Sequence, residues 1–193
     1  MKSMKKVKDN RGMTLIELIL SVFISSIIVI VLSTMSITSI KIFERIYNSI
    51  EIQQQGHFIM DFMTNKIIHS NKIDSVLNYN NISVYNTNKE VSLGEIKFKD
   101  ASLESGKWHV FSIQKDYKVE GRSIRYGNRS PATIEAGNYI DSIHIKPLPE
   151  KSAYSEAKGI NISITMKKGE NKIKLSKNIY FRKFDIEDIL TGG

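Results

Sequence analysis

Near the start of the chain the string R-G-M-T-L-I-E-L, Arg11 to Leu18, places a carboxylate, Glu17, at the head of a long apolar run. A carboxylate inside a bilayer costs roughly 2.5–3.5 kcal/mol on insertion scales, and such groups usually have a partner. Arg11 stands six residues earlier, which is not the i,i+4 spacing of a helical ion pair. Glu17 therefore either lies at the interface within reach of water or finds its partner outside its own helix.

The rest of the chain offers little chemistry. It contains no cysteine, which excludes disulfides, thiolate catalysis and cysteine-based zinc sites. It has no phosphate-cradling G-x-x-x-x-G-K-[ST], no G-x-G-x-x-G, no H-E-x-x-H and no G-x-S-x-G. His57, His69, His109 and His144 are scattered without metal-ligand spacing, so they read as surface or core histidines. Asp185, Glu187 and Asp188 lack the loop pattern of a calcium site. No enzyme activity, cofactor or metal is expected. A basic stretch near the C-terminus, Lys167, Lys168, Lys172, Lys174, Lys177, Arg182 and Lys183, reads as a solvated face. A contact of that face with DNA or another anionic surface is the alternative.

Stepping outward from Glu17, no charged residue occurs from Leu18 to Ile40. As a helix this stretch measures roughly 34 Å, enough to cross a hydrocarbon core of about 30 Å. Ser21, Ser25, Ser26, Ser33 and Thr34 can return their hydroxyls to carbonyls one turn back, so they do not oppose a helix in lipid. The first twelve residues hold Lys2, Lys5, Lys6, Lys8 and Arg11 against Asp9, which is half of the formal net charge of +8. That asymmetry places the N-terminus in the cytoplasm and the bulk of the chain outside. A cleavable secretory signal fits poorly, because the apolar run is too long and no A-x-A-like site follows it.

Basic residues, then Gly12, then M-T-L-I-E-L, then a long apolar helix together resemble the class III signal of type IV prepilins and pseudopilins. Gly12, Thr14, Leu15, Ile16, Glu17 and Leu18 match that pattern, and Met13 stands where phenylalanine is usual. The resemblance implies a membrane peptidase, the prepilin peptidase, cutting between Gly12 and Met13 on the cytoplasmic side and methylating the new α-amino group of Met13. Lys5, Lys6, Lys8 and Arg11 are then the basic cluster of the leader. A glycine at the cut leaves the backbone unobstructed. It also implies an assembly role for Glu17, whose carboxylate would neutralise the N-terminal amine of a neighbouring subunit, making a pair of two charges that are each costly alone. Many major pilins carry a proline in the membrane helix; here L-S-T-M-S-I-T-S has none.

The helical pattern continues through Ile42, Phe43, Ile46, Tyr47 and Ile50, and then Phe58, Ile59, Phe62, Met63 and Ile67. Gly56 is expected to mark a bend. The stretch Q-Q-Q-G-H-F-I-M-D-F-M-T-N-K-I-I-H-S-N-K-I is similar to the second half of the long helix in PilW-type and GspJ-type minor subunits, with ComGF-type competence pseudopilins in the same broad group.

Beyond Asn71 the period changes to two. Ile160, Ile162, Ile164 and Met166 alternate with Asn161, Ser163 and Thr165, predicting a half-buried strand, and 160–181 reads as a hairpin. Shorter strands are expected at 82–85, 95–99, 108–113, 123–126 and 139–145, with 147–159 as an exposed loop and the acidic tail as a cap or short helix. The expected organisation is a leader at 1–12, a transmembrane and polymerisation helix at 13–40, an amphipathic continuation at 41–71 and an extracellular β-rich head at 72–193. The fold class is α+β, with a long N-terminal helix packed on an antiparallel sheet. The expected function is that of a minor type IV pilin, PilW-like, held in the cell membrane by one span before assembly and located in an extracellular pilus or pseudopilus, among other pilins, afterwards. A pseudopilin of a competence DNA-uptake or type II secretion system is one alternative. An uncleaved single-pass anchored binding protein is the other.

Overall fold

The computed structural model describes residues 14–100, 108–115 and 121–182. The leader, the cut at Gly12 and Met13, and the acidic tail with Asp185, Glu187 and Asp188 lie outside the described residues. Helix α1 runs Leu15–Ile67, and the chain divides into two compact units at Glu44 and Arg45.

In the first unit the helix is exposed throughout its described length and carries no charge from Leu18 to Ile40. Its hydroxyls turn back onto carbonyls as expected: Ser21 Oγ donates to Leu18 O at 2.9 Å, Ser25 to Ser21 O at 2.7 Å, Ser26 to Phe23 O at 2.7 Å, Ser33 to Val29 O at 2.8 Å and Thr34 to Val31 O at 2.8 Å. Each hydroxyl is thereby satisfied inside the helix, the condition for residing in lipid. The helix is long and apolar enough to cross a membrane.

The second unit holds the core. Strands β1 (Lys72–Asn78), β2 (Val91–Lys99), β3 (His109–Lys115), β4 (Arg122–Gly127), β5 (Ile134–Leu148), β6 (Gly159–Lys168) and β7 (Asn171–Tyr180) form one antiparallel sheet in sequential order. The α+β expectation holds at this level. The sheet is not a simple open meander, however. β2 pairs with β5 at Val91–Ile145 and Ser92–His144, while the β3–β4 hairpin separates the same two strands further along. The four strands therefore close a ring of pairings.

The helical stripe differs from the expected one. Ile52, Ile59, Met60, Met63 and Ile67 are buried against the sheet, whereas Ile46, Tyr47, Ile50 and Phe58 are exposed; in the first unit Ile42 and Phe43 are exposed as well. The apolar spacing is the same on both sets, so periodicity alone did not show where sheet cover begins. Helix continues on both sides of Gly56. A Cβ there would stand 2.7 Å from Leu175 Cδ1 and 2.8 Å from Met166 Sδ, so this glycine lets the helix approach β6 and β7. Gly137 does the same from β5, where a Cβ would meet Ile59 Cδ1 at 2.4 Å.

The 160–181 hairpin is observed, with Ile160, Ile162, Ile164 and Met166 buried in register. On the opposite face Ser163 and Thr165 are also buried, while Asn161 is half-buried. Residues 82–85 make only an isolated bridge, Leu77–Ser83, and the first strand is instead Lys72–Asn78. The segment expected as an exposed loop carries a 3-10 turn, Tyr154–Glu156. Tyr154 is fully buried there, with its hydroxyl 2.7 Å from Ile145 O and 3.1 Å from Lys89 O.

Candidate processing and assembly site

Helix α1 begins at Leu15, immediately after Thr14, and its first turn is organised by two side chains. The Thr14 backbone N–H donates to Glu17 Oε2 at 2.8 Å and the Thr14 hydroxyl to the same oxygen at 3.0 Å. Glu17 N–H in turn faces Thr14 Oγ1 at 3.4 Å. This reciprocal arrangement is a capping box, with threonine at the N-cap and glutamate three residues on. The T-x-x-E signal was present in the sequence but was read there only for its family resemblance. The carboxylate is thus held at the mouth of the helix, near the positive end of its dipole. Both cap contacts use Oε2, and no hydrogen bond to Oε1 is present among the described residues.

The four histidines are not brought together. His57 and His69 are exposed, His144 is half-buried, and only His109 is buried. No local spacing announced its surroundings. His109 Nε2 lies 3.0 Å from Asp100 Oδ2 and Nδ1 lies 2.8 Å from the Tyr126 hydroxyl, which donates to Asn128 Oδ1 at 3.1 Å. Burial pushes the imidazole below its ordinary value, against the upward pull of Asp100, and pushes the Tyr126 phenol up. Phe62 and Phe111 pack against Tyr126. Among the described residues no nucleophile joins the cluster, and it reads as a polar knot in the core. No group of three or more potential metal ligands occurs among the described residues.

Three lysines of the basic hairpin pair with acids of other elements. Lys168 Nζ meets Glu51 at 2.5 Å, Lys172 meets Asp141 at 2.8 Å and Lys177 meets Asp61 at 3.3 Å. Two of these acids stand on α1, so the lysines help hold the helix to the sheet. They lend no support to a DNA contact.

Residues 7–33 match the family model for the prokaryotic N-terminal methylation motif, which covers Lys8, Arg11, Gly12, the capping box and the first part of the apolar helix. The match supports a type IV prepilin-like or pseudopilin-like protein. The motif is that of pilin-like precursors processed by a prepilin peptidase, and the apolar helix is long enough to anchor the chain in a membrane. No curated protein and no solved structure matches the chain.

Proposed function

We propose that the chain is a minor type IV pilin, a non-enzymatic subunit that is incorporated into a pilus or primes its assembly. Cleavage falls between Gly12 and Met13, Met13 is N-methylated, and Lys5, Lys6, Lys8 and Arg11 keep the leader on the cytoplasmic side. The observation that carries the reading is the Thr14–Glu17 capping box inside the methylation motif. Before assembly the cap supplies the carboxylate with donors, which lowers the cost of keeping it at the membrane. After cleavage Oε1 is the acceptor for the amine of a neighbouring subunit, and the two charges compensate each other in a low-dielectric layer. The head then lies outside the cell.

The test is to shear filaments from cells that express the chain with its cognate assembly system and to quantify it against the main subunit. Substoichiometric incorporation that depends on Gly12 supports the minor-pilin reading. A chain that stays wholly in the membrane fraction while filaments form normally contradicts it. The capping box and the methylation motif fit the pseudopilin alternative equally.

A further inference from the structure

The turn between β6 and β7, Gly169 and Glu170, stands against the first residues of α1 in the second unit. Arg45 Nη2 lies 2.7 Å from Glu170 Oε2, and Asn171 Nδ2 donates to Arg45 O at 2.9 Å. Lys168 pairs with Glu51, and its Nζ lies 5.8 Å from the centroid of the Tyr47 ring and 4.7 Å from that of Tyr139. These contacts fix the hairpin end beside Arg45. Arg45 comes five residues after Ile40, the last residue of the uncharged run. Five residues of helix rise about 7.5 Å. The headgroup layer outside the hydrocarbon is roughly 5–7 Å deep, and the field of surface charges decays over about 8–10 Å. With the apolar run in a bilayer, the hairpin end is therefore held at the lipid surface.

The charges of that end suit an anionic surface. On its α1 side they cancel in pairs, Arg45 with Glu170 and Lys168 with Glu51. On the face turned away from α1 they do not. Lys167 and Lys172 are cross-strand partners, Lys174 stands two residues on, and all three are exposed. Like charges directly opposite each other on a sheet are destabilising. Asp141 is the acid set against them: the 2.8 Å contact with Lys172, then the charges of Lys172, Lys167 and Arg122, hold its carboxyl below the ordinary value. Lys167 and Lys174 carry no ion pair among the described residues. Three lysines against one carboxylate leave positive charge uncompensated, and Lys41 and Glu44, between Ile40 and Arg45, cancel each other. On α1 beside the hairpin end, Ile46, Tyr47 and Ile50 are exposed. An exposed tyrosine next to a span is what the membrane–water interface favours. Because the span keeps this end at high effective concentration near the lipid, a few lysines suffice for a contact.

We propose that the β6–β7 hairpin end docks on anionic phospholipid headgroups, with Lys167, Lys172 and Lys174 facing their phosphates and Tyr47 seated at the interface. The proposal rests on the membrane-anchored reading of α1, and on neither cleavage nor assembly. The test places the full chain in nanodiscs of phosphatidylcholine, alone or mixed equally with phosphatidylglycerol, each with a trace of headgroup-nitroxide lipid. Nitroxide broadening of the Gly169 and Glu170 amide resonances is expected to be at least about twofold stronger with phosphatidylglycerol, as attraction of lysines to an anionic surface requires. The difference should vanish at high salt and in the combined Lys167→Gln, Lys172→Gln, Lys174→Gln variant. It should persist in Lys177→Gln, whose lysine lies further along β7 against Asp61. Equal broadening in the two lipids overturns the proposal, as does a difference that the combined variant keeps or that Lys177→Gln loses. A chain that enters discs of neither lipid overturns the anchored reading itself, and the proposal with it.

Discussion

The Thr14 hydroxyl and the Glu17 carboxylate meet at 3.0 Å, closing the first turn of the membrane helix on itself. The same glutamate therefore serves two partners in sequence, its own N-cap first and then, on the reading proposed above, a neighbour's amine. Only the second role needs the charge. Glu17→Gln keeps a side chain that can complete a capping box but cannot neutralise an amine. This variant is expected to be cleaved normally and to be lost from sheared filaments by at least about tenfold, the change that ~1.4 kcal/mol produces. Normal incorporation of Glu17→Gln would contradict an electrostatic role.

Thr14→Ala isolates the first role. Loss of an N-cap costs about 1 kcal/mol of helix stability. The helix start should fray by roughly one turn, visible as faster amide exchange at Leu15–Leu18, with cleavage retained. Unchanged protection there would mean that the cap contributes nothing.

Gly137 and Gly56 separate two kinds of close packing. At Gly137 a Cβ would meet both Cδ1 and Cγ1 of the fully buried Ile59, at 2.4 and 2.6 Å. Gly137→Ala is expected to destabilise the head by about 1–3 kcal/mol, as overpacking does, and Ile59→Val in the same chain should recover part of it. At Gly56 the contacts are the ends of Leu175 and Met166, and alanine also gains about 1 kcal/mol in helix propensity. Gly56→Ala should therefore be much milder. Equal melting temperatures for the two alanine variants would refute this account of the helix–sheet contact.

His109 predicts a pH dependence with a definite sign. Burial lowers its folded-state pKa below the ordinary 6.5, with Asp100 pulling it up and Lys66 and His69 pushing it further down. The unfolded chain then binds more protons over the interval between the two values, so stability rises with pH there. The contribution is fully present above about pH 6.5 and is lost as pH falls through the folded pKa. Thermal melts of wild type and His109→Gln from pH 8 to pH 5 check this. The wild type should lose more stability on acidification than the variant, and parallel curves would contradict the assignment.

The N-terminal third was the most legible part of the sequence, because a membrane helix and its leader are specified by composition and by a short ordered string around Gly12 and Glu17. The hairpin at 160–181 was also visible, since four apolar residues alternate without interruption. Other features depended on tertiary partners. Gly56 read as a bend in the helix, and its close approach to Leu175 and Met166 on the sheet had no local signal. The strand K-I-D-S-V-L-N carries a register shift between Ile73 and Ser75, which spoils its alternation. Tyr154 sat in a polar, proline-rich stretch, and its burial follows from two distant carbonyls. His109, Asp100 and Tyr126 come together only through the pairing of β2, β3 and β4, which no local spacing announces.

The most direct test of the central claim is the intact mass and N-terminal sequence of the chain expressed with and without its cognate prepilin peptidase. The account predicts a product that begins at N-methylated Met13, appears only with active peptidase and is abolished by substitution of Gly12. A chain that keeps Met1 to Gly12 in the presence of the active peptidase would contradict it and leave an ordinary membrane-anchored domain.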